Sequence, residues 1–169
     1  NTGHFSAIAA EHGAQVVAID SDPVSVGRTF QRAVANSLSI LPLVANIARP
    51  SPAVGWRNGE QSSLIDRLAG RFDLVLMLAV LHHLLVTERI PLPEILGLAA
   101  DLSKDLLVLE YVGPSDEMFR KLVRGRDDLY AHMTPEWFEA ACREHFDIVD
   151  SENLEPLHRQ LYLLKKKSA

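Results

Sequence analysis

The sequence of 169 residues predicts an α/β fold: a doubly wound, mostly parallel sheet with a C-terminal antiparallel strand pair. Short runs of apolar residues alternate with segments of helical periodicity along most of the chain. Most of these runs are continuous rather than alternating, as in strands that are buried on both faces. The last two runs are joined by a short segment without helical pattern, which favours antiparallel pairing. We expect one domain over residues 1–169.

The first half of the chain predicts two helices and two strands in alternation. Apolar residues at Phe5, Ile8 and Ala9 have helical spacing, and Ala14 to Asp20 form a β-branched run. Asp22-Pro23 then caps a second helix. We expect its apolar face to carry Val26, Phe30, Ala33 and Ser37. The second strand, from Leu38 to Ala45, contains Pro42, which lacks a ladder donor and therefore predicts a sheet edge.

The second half begins with an irregular loop, Asn46 to Gly59, which contains Trp56. A short helix over Leu64 to Leu68 ends at Gly70. Further elements are predicted in this order: a buried strand Phe72 to Val80, a loop with His82 and His83, a helix around Ile95 to Leu102, a strand Asp105 to Val112, a helix capped by Ser115, a charged loop Arg124 to His132, a helix from Thr134-Pro135, strands Phe146 to Asp150 and Gln160 to Leu164, and a solvated tail Lys165 to Lys167.

Charge and cysteine content disfavour several classes of protein. The formal net charge of −5 disfavours a protein that binds nucleic acid by neutralising phosphates. The single cysteine, Cys142, cannot form an internal disulfide, which favours a reducing, cytoplasmic location. The longest apolar run is shorter than the ~18 residues of a membrane span, so we expect no membrane association. No Cys/His cluster has zinc-finger spacing, and we expect no metal site.

The sequence begins abruptly at Asn1-Thr2-Gly3, a turn-like cluster that leads directly into a helix. Asn1 is neither an initiator methionine nor part of a signal peptide. We therefore expect that a first strand, which would precede this turn in the parallel sheet, is missing from the chain.

Several motifs together resemble the class I S-adenosylmethionine (SAM)-dependent methyltransferases, whose sheet is Rossmann-like. Asn1-Thr2-Gly3 is similar to the end of their glycine-rich loop, and Val16 to Asp20 to their second strand with its ribose-binding acid. Phe72-Asp-Leu-Val-Leu and Ala79-Val-Leu-His-His83 resemble their fourth strand and the loop after it. The segments Pro50 to Arg57, Leu81 to His83 and Pro91 to Pro93 are similar to a bacterial subgroup of nodulation-protein-like methyltransferases.

The resemblance implies a SAM site at the carboxyl ends of the strands, where ligands of doubly wound sheets bind. A glycine allows backbone N–H groups to approach a ligand at a helix N-terminus. Asp20 follows Gly3 by seventeen residues, close to the ~20 expected for an acid that binds ribose hydroxyls. Asn46 could pair with the adenine ring edge or could simply form a turn. The cofactor-binding residues that the resemblance implies are Asn1, Thr2, Gly3, Asp20, Ser21, Asn46, Ile47 and Ala79.

Three candidate catalytic residues follow later strands. His82 or His83 could take a proton from a hydroxyl or amine nucleophile near neutral pH, or could have only a supporting role. Glu110, at the end of a strand, could orient the substrate or a histidine. Trp56, Tyr111, His132 and the loop Arg124 to Arg126 are weaker candidates for pocket or lid residues.

We therefore predict methyl transfer from SAM to an O or N nucleophile of a small-molecule or glycan-type acceptor. Two alternatives remain at this point. A nicotinamide-dependent oxidoreductase also needs a glycine and a strand-end acid, so Gly3 and Asp20 fit either cofactor. A noncatalytic, degenerate binding domain would keep the fold without the chemistry. The sequence does not predict an oligomeric state.

Overall fold

The computed structural model describes residues 2–155 and 158–168, and the chain divides into two compact units. The first unit is Asn1–Leu64 and the second is Ile65–Ala169. The first contains α1 (His4–Glu11), β1 (Val16–Asp20), α2 (Pro23–Ala35) and β2 (Ile40–Val44). Next come α3 (Leu64–Leu68), β3 (Phe72–Met77), α4 (Leu92–Leu102), β4 (Ser103–Val112), α5 (Glu117–Val123), α6 (Pro135–His145), β5 (Phe146–Leu154) and β6 (Arg159–Lys166).

A parallel pair of strands forms the sheet of the first unit. β1 pairs with β2 in a register that runs from Val16 opposite Ile40 to Asp20 opposite Val44. Pro42 lies opposite Ala18, in a strand with one neighbour among the described residues. The predicted edge position of β2 is therefore confirmed, because an edge strand tolerates a residue without an N–H donor.

The buried face of α2 differs from the predicted one. Thr29 and Ala33, four residues apart, are the buried positions of this helix, whereas Phe30 is 58% exposed. The prediction that Phe30 lies on the buried face is therefore wrong. The helix packs on β1 and β2 with Thr29 and Ala33 as its buried positions, which leaves Phe30 on the other side.

The second unit has a four-stranded sheet in the order β3-β4-β6-β5. β3 and β4 are parallel, whereas β6 pairs antiparallel with both β4 and β5. The predicted fold class, an α/β sheet with a C-terminal antiparallel pair, is confirmed. The missing first strand and the single domain stay predictions.

β3 is less buried than the sequence predicted. It ends at Met77 rather than Val80, and Leu74 remains 43% exposed. Within the described residues β3 pairs only with β4, so its other edge has no neighbouring strand to cover the side chains. The core of this unit instead centres on α4, β4 and β6, with Leu96, Leu107 and Leu164 almost fully buried.

Three local predictions in the second unit need correction. The cap of α5 is Asp116 rather than Ser115, because the Asp116 carboxylate accepts the N–H of Phe119 at 2.9 Å. The segment after His82 is a π-helical turn, His83–Thr87, rather than a loop. The lysine tail is partly structural: β6 extends to Lys166, whose Nζ donates to the carbonyl oxygen of Ser103 at 3.0 Å.

Other predicted helix starts are confirmed. Asp22 accepts the N–H groups of Val24 and Ser25, and Pro23 is the first residue of α2. The Thr134 hydroxyl accepts the N–H of Trp137 at 3.2 Å at the start of α6. Across residues 2–155 and 158–168, the helices are all too short or too polar to cross a bilayer.

Candidate functional site

The candidate donor site in the first unit lies at the carboxyl end of β1. Asp20 is the last residue of this strand, and its Oδ1 accepts the N–H of Asp22 at 2.9 Å. This hydrogen bond turns the chain from β1 into the capped start of α2 and orients the carboxylate. Ser21, between the two acids, is exposed. The strand end therefore presents a fixed carboxylate beside a hydroxyl residue.

Asn46 follows the neighbouring strand β2 at the same edge of the sheet. Its Oδ1 accepts the N–H of Ala48 at 2.8 Å, and its carbonyl oxygen accepts the N–H of Arg49 at 3.1 Å. The side chain thus forms the turn that the sequence allowed as an alternative to adenine binding. Its amide nitrogen has no hydrogen bond to a described residue, so Nδ2 can still donate to a ligand. Ile47 is half-buried beside it.

Gly3 begins α1 in a left-handed conformation, with φ 69° and ψ 27°. A β-carbon at this position would lie 2.6 Å from Cγ2 of Thr29. The glycine is therefore required both by its backbone conformation and by the packing of α1 on α2. Thr2, before it, is half-buried, while Asn1 lies outside the described residues.

Ala79 lies two residues after β3 in the second unit and has a φ of 54°. The left-handed region costs a residue with a β-carbon roughly 1–2 kcal/mol. Strain of this kind concentrates at functional sites, where the surrounding structure maintains it. The ligand-binding role of Ala79 stays a prediction.

The two histidines differ in their surroundings. His82 is only 4% exposed, and its Nδ1 has no hydrogen-bond partner within the described part of the chain. His83 is exposed, and the two ring centroids are 4.2 Å apart. Burial, followed by the nearby His83 and Arg159, lowers the pKa of His82 to about 4. His82 is therefore a neutral imidazole at physiological pH, able to accept or donate a hydrogen bond.

Glu110 belongs to a buried ionic network. Arg159 donates from Nη1 to Oε1 of Glu110 at 2.9 Å and from Nε to Oδ2 of Asp116 at 2.8 Å. Glu110 is 8% exposed and Asp116 is 3% exposed. One guanidinium thus joins the end of β4, the start of α5 and the start of β6. The predicted strand-end position of Glu110 is correct, but the observed partner of its carboxylate is Arg159.

Sequence reasoning missed Arg159 and Asp116. Asp116 had a detectable signal, since an acid before an amphipathic segment is a common helix cap. Arg159 had none, because its partner Asp116 lies 43 residues earlier in the sequence. Only the antiparallel addition of β6 to β4, with Arg159 opposite Val112, brings the two together.

The cavities of the second unit include two that adjoin predicted site residues. A polar cleft of about 420 Å³ lies beside Arg159 and Tyr111 and between the ends of β5 and β6. A smaller cavity of about 200 Å³ is lined by His82, His83, Met118, Lys121, Leu122 and Arg124. Complete small-molecule sites usually occupy about 300–1,000 Å³, so the smaller cavity suits a single chemical group.

The weaker candidates for pocket or lid residues either contact other parts of the protein or lie at its surface. The Tyr111 hydroxyl donates to the carbonyl oxygen of Met133 at 2.6 Å, which anchors the segment before α6. His132 packs edge-to-face on Trp137, with ring centroids 5.3 Å apart. Trp56 is 80% exposed. In the described part of the chain, no three His, Cys, Asp or Glu side chains cluster as metal ligands would.

Comparison with known proteins identifies the class. The sequence model of a family described as "Methyltransferase domain" matches residues 1–161. The chain belongs to this family, and the predicted family, the class I SAM-dependent methyltransferases, is confirmed. The chain is 31% identical over 167 residues to the nodulation protein NoeA of Rhizobium meliloti (strain 1021). The match covers 98% of this chain and 34% of NoeA, so the chain spans about a third of this relative.

Solved structures share the fold. The bifunctional kinase-methyltransferase WbdD superposes with a TM-score of 0.65 at 22% identity, over 96% of this chain and 32% of WbdD. The PH0226 protein from Pyrococcus horikoshii OT3 superposes with a TM-score of 0.66 at 13% identity, over 98% of this chain and 78% of that protein. At these identities, the likeness concerns the fold alone.

Proposed function

We propose that this domain transfers a methyl group from SAM to an O or N nucleophile of a small-molecule or glycan-type acceptor. The observation that carries the proposal is the register of β1 and β2, which brings Asp20 and Asn46 to the same edge of a parallel sheet. Membership in the methyltransferase family supports the reaction type. The buried free thiol of Cys142 is consistent with a reducing, cytoplasmic location.

Donor binding is assigned to residues of the first unit. Asp20 has the chemistry to accept hydrogen bonds from ribose hydroxyls, and Nδ2 of Asn46 has the chemistry to donate one to adenine. The N-terminus of α1, which follows Thr2 and Gly3, offers unpaired backbone N–H groups to a carboxylate. Bound SAM would supply an activated methyl group on its sulfonium. The predicted roles of Asn1, Ser21, Ile47 and Ala79 remain part of this proposal.

Acceptor activation is assigned to His82. As a neutral imidazole that lines a cavity, it can accept the proton that a hydroxyl or amine loses on methylation. His83 is exposed and is assigned a supporting role beside it. Glu110 is assigned a positioning role, because it holds Arg159, which also bonds Asp116 at the start of α5.

One observation favours a second candidate function, a noncatalytic binding domain. Both Asn46 and Glu110, two predicted site residues, use side-chain oxygens in contacts within the protein. A domain that retained the fold but lost the reaction would keep such structural contacts.

Calorimetric titration with SAM, with its demethylated product and with NAD distinguishes these functions. The proposal expects both SAM and the demethylated product to bind and NAD not to bind. Binding of NAD alone would show an oxidoreductase, and binding of none of the three would favour the noncatalytic domain. Transfer of labelled methyl from SAM to candidate acceptors then tests catalysis.

A further inference from the structure

The cavity of about 200 Å³ beside the histidines has an unusual charge pattern. Its six lining residues include two cationic side chains, Lys121 and Arg124, and no described carboxylate lies among them. Met118 and Leu122 provide an apolar wall. A small cavity with cations and an apolar wall favours a compact anionic group over a cation.

The two cations come from one helix end. Lys121 lies in the last turn of α5, where it also pairs with Glu117 at 2.7 Å. Arg124 ends this helix with φ and ψ both 52°, and among the described residues it forms no ion pair. Its position is set by the backbone, because its N–H donates to the carbonyl oxygen of Arg120. Arg124 can therefore neutralise a bound anion without giving up a partner.

An independent observation comes from His82, which lines the same cavity. The buried Nδ1 of this ring lacks a partner within residues 2–155 and 158–168. The ring therefore has hydrogen-bonding capacity that no described residue uses. The polar ring and the cations thus surround one small space.

We propose that this cavity binds an oxyanion group of the methyl acceptor, a carboxylate or a phosphate. This inference rests on the proposed function in one respect, the identity of the bound molecule as the acceptor. The cavity is too small for a complete small-molecule ligand, so the oxyanion anchors the acceptor while its remainder lies outside. Lys121 and Arg124 bind the charge beside the ring of His82.

The test uses inorganic phosphate and acetate as probes, titrated at low ionic strength and followed by NMR. We expect binding of at least one probe to shift the ring resonances of His82 and His83. Stronger binding of phosphate indicates a phosphate-bearing acceptor, and stronger binding of acetate indicates a carboxylate. Added sodium chloride should weaken the binding, because salt screens partly exposed charges.

Variants locate the site. Each of Lys121→Gln and Arg124→Asn should lower the affinity for the tighter-binding probe by roughly fivefold, which is the effect of one partly exposed ion pair. Asn is chosen at position 124 because it tolerates the left-handed conformation. The matched control is Arg120→Gln, which removes an exposed charge from the same helix outside the cavity lining. This control should leave the binding unchanged.

The outcomes separate this inference from the proposed function. If SAM binds but neither probe shifts the histidine resonances, the oxyanion site is wrong and the methyltransferase assignment stands. If the probes bind but SAM does not, the anion site stands and the donor assignment fails. Equal weakening by Arg120→Gln and Arg124→Asn would show only a general charge effect and overturn the proposed site.

Discussion

Arg159 donates from Nε to Oδ2 of Asp116 at 2.8 Å. This ion pair joins the start of β6 to the start of α5, although the two residues are 43 positions apart in the sequence. The side chains are 16% and 4% exposed, so both charges have lost most of their water. Asp116 also accepts the N–H of Phe119 with its other oxygen. The pair therefore fixes the start of α5, the helix that carries Lys121 and leads to Arg124.

Removing one partner of this pair should strongly destabilise the protein. We expect Arg159→Met to lower the free energy of unfolding by about 3–5 kcal/mol, because Asp116 and Glu110 would be left as buried unpaired charges. Urea denaturation followed by circular dichroism measures the change. Lys104→Met is the control, because the Lys104–Asp73 pair is largely exposed and should contribute at most about 1 kcal/mol. Similar losses in both variants would contradict this role of Arg159.

The same pair predicts an acid-sensitive stability. Burial alone would raise the pKa of Asp116, but hydrogen bonds from Arg159 and the Phe119 N–H outweigh it and hold the pKa below its ordinary 3.8. The folded state therefore gains stability from Asp116 above pH 3.8, and this gain disappears as the pH falls through the folded pKa. Urea denaturation between pH 5 and pH 2 should show that Asp116→Asn loses less of its free energy of unfolding on acidification than the wild type does. Parallel curves would contradict the prediction.

Gly3 should tolerate no side chain while Thr29 is present. Gly3→Ala should destabilise the protein by about 2 kcal/mol, through the positive φ and the close contact with Thr29. Thr29→Ala removes the nearest methyl group and should recover part of the loss in the double variant, as thermal melting would show. If the two substitutions are strictly additive, the observed contact does not explain the glycine.

The two histidines should have different roles in turnover. His82→Gln should lower kcat by ~10², the low end for a general base, because a ring with a pKa of about 4 is a weak base, while the affinity for SAM stays the same. The matched variant His83→Gln should retain most of kcat, because this ring is exposed. Steady-state kinetics on an identified acceptor measures kcat for both variants and so distinguishes the two roles. Near-normal turnover in both variants would mean that positioning alone suffices.

The pH profile offers a separate check on His82. Because its pKa is lowered to about 4, a rate that depends on the neutral ring should fall near pH 4 rather than near the ordinary 6.5. Measuring kcat/KM from pH 4 to pH 8 tests this. A decline centred near pH 6.5 would assign the base to another group.

Local chemistry explains which features could be predicted from the sequence. Asp22-Pro23 and Thr134-Pro135 begin helices because caps act within three residues, and the apolar runs locate β1 and β4 within two residues. Pro42 indicated a sheet edge because the missing donor is a property of one residue.

Features that depend on distant neighbours could not be predicted. The exposure of Leu74 depends on which strands flank β3, and the exposure of Phe30 depends on which side of α2 packs on β1 and β2. The partner of Glu110 became known only from the pairing of β6 with β4. The roles assigned to Asp20 and His82 stay predictions until ligands are tested.

The most direct test of the account is the affinity of SAM for Asp20→Asn, measured by calorimetric titration. The asparagine retains an oxygen for the Asp22 N–H but loses the charge, so binding should weaken by about 1.5–3 kcal/mol, the contribution of a charged hydrogen bond. The matched control Asp22→Ser keeps a helix cap and should bind SAM normally. Unchanged affinity in Asp20→Asn, or equal losses in the two variants, would contradict a donor site at the end of β1.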